Sequence, residues 1–492
     1  MSTHTNAISA AQLEAVTGSM PLIRREQTWG KFAIFGNTAS AAVATWCFLT
    51  GGYIAYYLPA GPGAIAITTG TLLGVCIALF AALPQATKYG IESVRATRPT
   101  LGVRGTNITL VLVFLILAGW NSVLTIFLGR ALAQTMIVLG WIGEDARFPT
   151  MLITGVLSCV VTFWLLRKGS STLKWAGPTI ATAVLVLSVL IMVVLISRFG
   201  VAAIFNAEAL DGGEGAFKTN YMIVIELGIA GAIAWWPYIG GLTRQSRTSA
   251  GAILPAVLGL GAMMSAVLVV GAFAALMAPE SEGDPTGIMI EIGGTALGVV
   301  MLLFIVFANV GTTMAGTYAA ALSLKQSRAI DKRVPWRWAV AISLVPVAVT
   351  LIFFADAFMD HYGTFLAFAG VTLGPICGIQ IVDYLILRRQ RLHVPSLYDD
   401  GPSSKYWYVA GFNPAGIIAV ACGITAYLLV LDPVTFIPHE GAGFEVFSAS
   451  IPATVVAGIV YLVLSLVFGR LREGQREDAA RHEAPVPERT NV

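Results

Sequence analysis

The pairing in this sequence that is best suited to bind a flat polar molecule is an aromatic ring beside a carboxamide. Trp120 and Asn121 lie about ten residues inside a long apolar run. The indole plane can stack on a heterocycle, which for a nucleic acid base contributes roughly 1–3 kcal/mol, and the amide can hydrogen-bond to the edge of the same molecule. The alternative is a packed tryptophan whose neighbouring asparagine bonds to another helix.

The apolar run at residues 221–242 contains residues that weaken a helix. Pro237 removes a backbone donor, and the run also holds four glycines and two adjacent tryptophans, Trp235 and Trp236. A helix that breaks inside a membrane leaves backbone groups unpaired, and transporters use such groups to bind substrates and ions. We therefore predict a functional break here, with glycine-mediated helix packing as the alternative.

Two further apolar runs carry small or polar residues that could form part of a site. In the run at 33–58, small and hydroxylated residues such as Ser40, a candidate substrate-binding residue, replace the expected Leu and Ile, so we predict a second, weaker break there. In the run at 290–323, Thr312 and Thr313 supply hydroxyl groups of the kind that bind a hard cation. Hydroxyl and carbonyl oxygens suit Na⁺. The alternatives are close packing of small residues and threonine hydroxyls that bond back to their own helix.

The elements that must position these residues are transmembrane helices. The chain is 56% hydrophobic and only 12% charged, whereas a soluble domain has roughly 25% charged residues. The apolar runs are about 20 residues long, which is the length that crosses a ~30 Å hydrocarbon core. We predict twelve spans at approximately 33–58, 64–83, 107–137, 149–167, 177–198, 221–242, 252–278, 290–323, 338–355, 362–387, 408–431 and 447–469.

The basic residues orient these spans. Of the 30 Lys and Arg residues, 26 lie in the tails or in alternate gaps between spans, all on one side. The positive-inside rule places that side in the cytoplasm, so we predict a multi-pass protein of the cell membrane with both termini cytoplasmic. The domain organisation is then a tail at 1–32, a transporter domain at 33–469 and a disordered tail at 470–492, which is polar and rich in Pro, Glu and Arg.

Arg130, Glu226 and Asp383 are charged residues inside the predicted spans. Arg130 near the outer end of the third span and Glu226 near the outer end of the sixth have depths that match within about a turn. Because a pair costs less in a membrane than two isolated charges, we predict a structural or gating ion pair between them. Asp383 lies near the inner end of the tenth span, just before Arg388 and Arg389, and we predict a structural ion pair there as well.

Other classes of function lack the residues they need. The five cysteines lie singly in apolar runs and the five histidines lie in tails or loops, so no disulfide, metal centre or histidine proton relay is indicated. No basic stripe with interleaved aromatic residues favours nucleic acid binding. A membrane-bound enzyme would need a nucleophile, metal or acid–base set, and neither HExxH nor GxSxG occurs. No cofactor is expected beyond a coupling cation.

The end of the tenth span and the following loop carry a recognisable motif. The pattern GP…G…DY…RR…LY…GxN is formed by Gly374, Pro375, Gly378, Asp383, Tyr384, Arg388, Arg389, Leu397, Tyr398, Gly411 and Asn413. It resembles the nucleobase:cation symporter family 1, the purine, cytosine, hydantoin and allantoin permeases. The resemblance extends loosely from about residue 25 to 470.

The resemblance implies an all-α membrane fold of two inverted five-helix repeats, as in LeuT-like transporters, plus two extra helices. It implies import of a small neutral heterocycle, a nucleobase such as cytosine, uracil or a purine, or a hydantoin- or allantoin-like compound, coupled to Na⁺ or H⁺. The substrate would lie between the first, third, sixth and eighth spans. The resemblance assigns stacking to Trp120 and a sixth-span aromatic role to Trp235 or Trp236.

The same resemblance assigns a sodium site and also exposes departures from the family pattern. The sodium site would map to Ala39–Val43, and to Thr312 or, by a one-residue shift, Thr313. Some members bind substrate with an eighth-span Asn where this chain has Gly316 or Thr317, and the first span has no Gln. We therefore hypothesise that Asn121 supplies the amide. A transporter of another solute class on this fold, a channel and a membrane-bound enzyme remain the alternatives.

Overall fold

The computed structural model describes residues 20–167, 173–211, 216–281, 283–327, 330 and 333–468, without the side chains of 173–178. The predicted tail at 470–492 and residues 1–19 of the N-terminal tail lie outside the described residues. The principal helices are α1 Lys31–Ala42, α2 Trp46–Ile54, α3 Ala60–Tyr89, α4 Gly105–Val138, α5 Arg147–Leu166, α6 Leu173–Phe199, α7 Phe217–Ile233, α8 Trp236–Thr243, α9 Ser249–Leu276, α10 Pro285–Lys325, α11 Trp336–Phe353, α12 Tyr362–Leu387, α13 Pro414–Leu428 and α14 Ser450–Val467.

The prediction of an all-helical membrane protein is confirmed, because the described chain contains no β-strand and many helices that can span a bilayer. Within the described residues, nine helices are long and apolar enough to cross a membrane, and two bent helix pairs raise the number to eleven. The shorter apolar helix α13 stands where the eleventh span was predicted. The count of twelve stays a prediction.

Both predicted breaks are present. The first span bends by 65° between α1 and α2, and the sixth bends by 46° between α7 and α8. Pro237 lies in the first turn of α8, where a missing N–H costs nothing because the first donors of a helix have no intrahelical partner. The first break falls at Val43–Thr45, where no proline is present and a run of small residues ends.

The helices pack as two groups. One group comprises the first, second, sixth and seventh spans, and the other comprises α4, α5, α10 and α11. In the first group the backbones approach closely, because a side chain on Gly70 or Gly74 would clash with the carbonyl groups of Ile225 or Ile229 on α7. Such close approach is how small residues hold membrane helices together without a hydrophobic driving force. Helices α12, α13 and α14 pack on one another and on α7.

The motif that marks the family resemblance forms a structural cluster on the side of the molecule that holds the N-terminal segment. Arg388 Nε donates to Asp383 Oδ2 over 2.8 Å, Tyr461 Oη donates to Asp383 Oδ1 over 2.8 Å, and Arg388 Nη2 donates to Tyr408 Oη over 2.9 Å. Asn413 N donates to the carbonyl of Leu101 over 2.8 Å. The predicted ion pair at Asp383 is confirmed. The motif joins the end of α12 to α14 and to the loop that follows α12, and it joins that loop to the one before α4.

A second cluster on this N-terminal side joins the two helix groups. Glu92 Oε1 lies 3.4 Å from Arg244 Nη2, just after α8, and Gln326 Nε2, just after α10, donates to Glu92 Oε2 over 3.0 Å. Burial raises the pKa of the Glu92 carboxyl, and the positive charges of Arg244 and Arg95 oppose that effect. The Glu92 carboxylate therefore links the end of α8, in the first group, to the end of α10, in the second group.

The predicted ion pair between Arg130 and Glu226 is wrong. Arg130 Nη2 bonds to Asp356 Oδ1 over 2.9 Å near the surface. Glu226 is fully buried and instead accepts five hydrogen bonds, from the side chains of Tyr427, Ser448 and Ser450 and from the backbone N–H groups of Ala449 and Ser450. The two residues therefore have separate partners, on different elements of the structure. The Glu226 carboxylate therefore pairs with the N-terminus of α14, where the helix dipole favours negative charge.

These environments predict unequal effects on stability. We expect Glu226→Gln to lower the free energy of unfolding by about 2–3 kcal/mol, because the charge-assisted hydrogen bonds are lost. In addition, the NH₂ group of the new side chain would face the backbone N–H groups that now donate to the carboxylate. Arg130→Gln should cost under about 1 kcal/mol, since Asp356 is 64% exposed. Chemical denaturation of detergent-purified protein measures both.

The double substitution should cost the sum of the single effects, because the two residues share no partner. A coupling energy above about 1 kcal/mol between the two positions would restore the Arg130–Glu226 pair and contradict this assignment.

Candidate functional site

A cavity of about 370 Å³ lies where the two helix groups meet. Its walls come from both sides of the first-span break, from α4, from α6, from α10 and from the break between α7 and α8. No charged side chain is among its described lining residues, which are Asn37, Ser40, Ala41, Val43, Ala44, Trp46, Trp120, Asn121, Leu124, Ile180, Ala234, Trp235, Tyr238, Thr312, Ala315, Gly316, Tyr318 and Ala319. Such a cavity is the size and character of a small-molecule site.

Aromatic rings surround Trp120 at one end of this cavity. The Trp120 ring lies 4.8 Å from Trp46 and 5.1 Å from Phe365, measured between ring centroids, and Tyr362 lies 6.4 Å away. The Phe365 contact is edge-on, which is a favoured arrangement of two rings. Trp120 is only partly buried, so one part of the indole remains available to a bound molecule.

Asn121 lines the same cavity with an unpaired amide. Its side chain is fully buried, and neither Oδ1 nor Nδ2 has a hydrogen-bond partner in the described structure. The carboxamide rests against Gly316 on α10, where any side chain would clash with it. A buried polar group without a partner is costly, and here both the donor and the acceptor of the amide lack one in the described structure.

The two sixth-span tryptophans have different environments. Trp235 lines the cavity beside Tyr238, with 5.2 Å between the ring centroids. Trp236 is fully buried away from the cavity, and its Nε1 donates to Gln380 Oε1 over 2.8 Å. The residues are adjacent, yet a helical step of about 100° turns them in different directions.

Of the predicted ion ligands, some line the cavity and others do not. Val43 and Thr312 line the cavity, whereas Ala39 does not, and the Ala39 carbonyl accepts the backbone N–H of Val43 over 2.9 Å. Thr313 and Thr317 are fully buried on a face of α10 outside the cavity lining. Among the other predicted substrate residues, Ser40 and Gly316 line the cavity.

The cavity is sealed on the side opposite to the N-terminal segment. There Tyr362 is buried and its hydroxyl lies 2.6 Å from that of Thr50 on α2, while Phe365 covers Trp120. On the N-terminal side the lining residue Asn37 is exposed, as is Phe32 one turn earlier. In this conformation the cavity is therefore more accessible from the N-terminal side.

Three aromatic lining residues were not predicted from the sequence. Trp46 follows the first-span break, Tyr238 follows Pro237, and Tyr318 lies two residues after Gly316. The sequence did contain a signal for them, because each lies within a turn or two of a break or of a predicted site residue. Asn37 was visible in the same run of small residues as Ser40.

Comparison with known proteins identifies the family of this chain. The family model for permeases for cytosine/purines, uracil, thiamine and allantoin matches residues 20–444. A purine-uracil permease, NCS1, from Arabidopsis thaliana is 24% identical over 86% of this chain and 74% of its own length. A hydantoin permease from Microbacterium maritypicum is 24% identical over 81% of this chain and 82% of its own.

Solved structures support the same fold. Mhp1, a nucleobase-cation-symport-1 family transporter, in a closed conformation with bromovinylhydantoin bound, has a TM-score of 0.72 at 19% identity, covering 92% of this chain and 95% of the other. Its inward-facing conformation has a TM-score of 0.75, covering 93% and 94%. The family match extends over most of the sequence, and the chain therefore belongs to the family of permeases for cytosine/purines, uracil, thiamine and allantoin.

Proposed function

We propose that this protein is a secondary active transporter that imports a small neutral heterocycle by alternating access. The observation that carries the proposal is the unpaired, fully buried carboxamide of Asn121 beside Trp120, in an uncharged cavity between two broken helices. A flat molecule with adjacent donor and acceptor atoms would stack on Trp120 and complete both amide hydrogen bonds. Nucleobases, hydantoins and allantoin have such edges.

The sixth-span tryptophan of the cavity supports the same class of substrate. Trp235 and Tyr238 line the wall formed by the broken sixth span, so apolar ring surface is available on α8 as well as on α4. A strongly charged substrate is disfavoured, because none of the described lining side chains would neutralise it.

The coupling cation, Na⁺ or H⁺, is part of this proposal. At the end of α1 the last carbonyl groups have no intrahelical partner, and Val43 and Thr312 line the cavity from either side. The Thr312 hydroxyl donates to the Ala308 carbonyl over 2.9 Å, which leaves its lone pairs for a cation. Carbonyl and hydroxyl oxygens would hold Na⁺ there, and Ala39 and Thr313 would be outer neighbours rather than ligands.

The transport cycle follows from the two helix groups. The side that is now sealed by Tyr362 and Phe365 over Trp120 would open to admit the heterocycle and the cation. The two helix groups would then rotate relative to each other, closing that side and making the cavity accessible from the N-terminal side, as it is in this conformation. The cation drives uptake only if it binds the substrate-competent state more tightly than the other state.

The membrane arrangement that we propose has twelve spans with both termini in the cytoplasm of a cell-membrane protein, arranged as two inverted five-helix repeats followed by α13 and α14. The excess of basic residues on the N-terminal side supports this orientation. The paired breaks in the first and sixth spans support the repeat, because these spans occupy equivalent positions in two five-helix units.

Uptake into proteoliposomes tests the proposed function. Labelled cytosine, uracil, adenine, hydantoin and allantoin are offered under imposed Na⁺ or H⁺ gradients. We expect at least one to accumulate above equilibrium in a gradient-dependent way. Flux that does not depend on the Na⁺ or H⁺ gradient would indicate a channel. Binding without flux would indicate a sensor. Either result would contradict a symporter.

For the substrate so identified, Trp120→Ala should weaken binding roughly 5- to 150-fold, because one stacking partner is lost. Trp235→Ala should weaken it less, since Trp120 remains. Binding is measured by isothermal titration in detergent. Trp338→Ala on α11, where the side chain is 56% exposed, is the matched control and should bind as the unmodified protein does.

Gly316→Ala should also weaken binding by about tenfold or more, because the added β-carbon displaces the Asn121 carboxamide. In an Asn121→Ala background the same change should have little further effect. Gly61→Ala, whose new β-carbon meets open space, is the control. An equal loss from Gly316→Ala in both backgrounds would mean that the glycine acts through something other than Asn121.

A further inference from the structure

One face of α10 carries buried polar atoms that have no hydrogen-bond partner in the described structure. Asn309, Thr313 and Thr317 are spaced four residues apart, so they lie on one face of the helix. All three are fully buried, and Asn309 Nδ2, Thr313 Oγ1 and Thr317 Oγ1 have no hydrogen-bond partner. This face is separate from the cavity, because none of the three residues lines it.

These hydroxyl groups differ from most others in the protein. Thr312, Thr135 and Thr243 each donate to the carbonyl four residues earlier, over 2.7–2.9 Å. Thr313 and Thr317 do not make this bond, although it is available to any threonine in a helix. An unsatisfied buried hydroxyl costs roughly 1–3 kcal/mol, so an arrangement that leaves several in place indicates a ligand or ordered ion.

The first-span break adds a further oxygen to this face. The Thr45 hydroxyl bonds to Asn309 Oδ1, and Thr45 lies at the end of the break, where the preceding carbonyl groups of α1 lack helical partners. Rotating the Asn309 amide by 180° exchanges its oxygen and nitrogen. Thr45 can then accept from Nδ2, and Oδ1 becomes free to bind a ligand.

Helix α4 carries another unpaired hydroxyl at the same level along the helices. Asn121 contacts Gly316, and Leu110 of α4 and Leu324 of α10 line one groove, so the two helices run antiparallel. Thr125, one turn beyond Asn121, therefore lies level with Thr312 and Thr313. Thr125 is fully buried and its hydroxyl also has no partner.

We propose that Thr45, Thr125, Asn309 and Thr313 form a monovalent cation site at the interface of the first span, α4 and α10, distinct from the cavity site at Val43 and Thr312. The oxygens are neutral and hard, which suits an alkali cation. The described chain has no cluster of three His, Cys, Asp or Glu residues that could hold another metal ion.

The position explains what such a cation would do. Thr45 precedes Trp46 and Asn121 follows Trp120, and these two rings are 4.8 Å apart. A cation bound behind the pair would fix the first-span break against α4 and so order the stacking surface before substrate arrives. The inference goes beyond the proposed function, since cation binding here requires no heterocycle.

Cation titrations of the purified full-length protein test this site in the absence of any heterocycle. NaCl, KCl and LiCl are each exchanged for choline chloride at constant ionic strength, and tryptophan fluorescence and the unfolding temperature are recorded. We expect a cation response that Thr313→Val weakens at least tenfold in apparent affinity. The same substitution should raise the unfolding temperature in choline chloride, because it removes an unpaired hydroxyl.

The variant Thr312→Val separates the two cation sites. It should leave a residual cation response, and adding Thr313→Val to it should abolish that response. Thr372→Val, which removes a buried hydroxyl that already donates to the Phe368 carbonyl over 2.6 Å, is the matched control and should titrate as the unmodified protein does.

Three results would overturn the proposal: no cation response in the unmodified protein, complete loss of the response in Thr312→Val alone, or an unchanged response in Thr313→Val. Each is readable whether or not heterocycle uptake is found, so failure of this site is distinguishable from failure of the transport function.

Discussion

The absence of water in the bilayer core is the constraint on which this structure depends. Every buried polar group must find a partner within the protein. Glu226 satisfies the constraint with five hydrogen bonds at the start of α14, and Trp236 does so with Gln380. Against that background the unpaired carboxamide of Asn121 is informative, because in the function that we propose the substrate supplies the missing partners.

The same constraint explains why the cavity lies between the helix groups. Backbone groups can be released at membrane depth only where protein shields them from lipid. The two bends, at Val43–Thr45 and before Trp236, both belong to the first group and line the cavity from that side of the interface. Within the first group, glycines such as Gly70 and Gly74 hold the backbones of α3 and α7 in contact, which favours movement of that group as a unit.

Depth along a helix could be predicted from the sequence, whereas direction around it could not. The local pair of Asp383 and Arg388 was predicted correctly because five residues of chain limit where they can be. The pair of Arg130 and Glu226 failed because matched depth leaves the angle around each helix unspecified, and tertiary packing turned Glu226 towards α14 and Arg130 towards Asp356.

The two adjacent tryptophans of the sixth span are a second example of a direction around the helix that the sequence does not determine. The sequence left Trp235 and Trp236 as alternatives, and only the packing of α8 turns one of them to the cavity and the other to Gln380. The helices, the two breaks and the residue types near each break were all predictable. Which of these residues meet around one cavity, together with Trp46 and Tyr318, could be seen only in the folded structure.

The residues that identify the family are not the residues that would choose its substrate. Asp383, Arg388 and Asn413 join α12 to neighbouring loops on the N-terminal side, so their presence indicates a fold that is held together in the same way. Recognition would instead depend on Asn121, whose position requires Gly316 to lack a side chain. A relative can therefore share the whole motif and still carry a different heterocycle, because a single β-carbon at position 316 would redirect the amide that reads the substrate's edge.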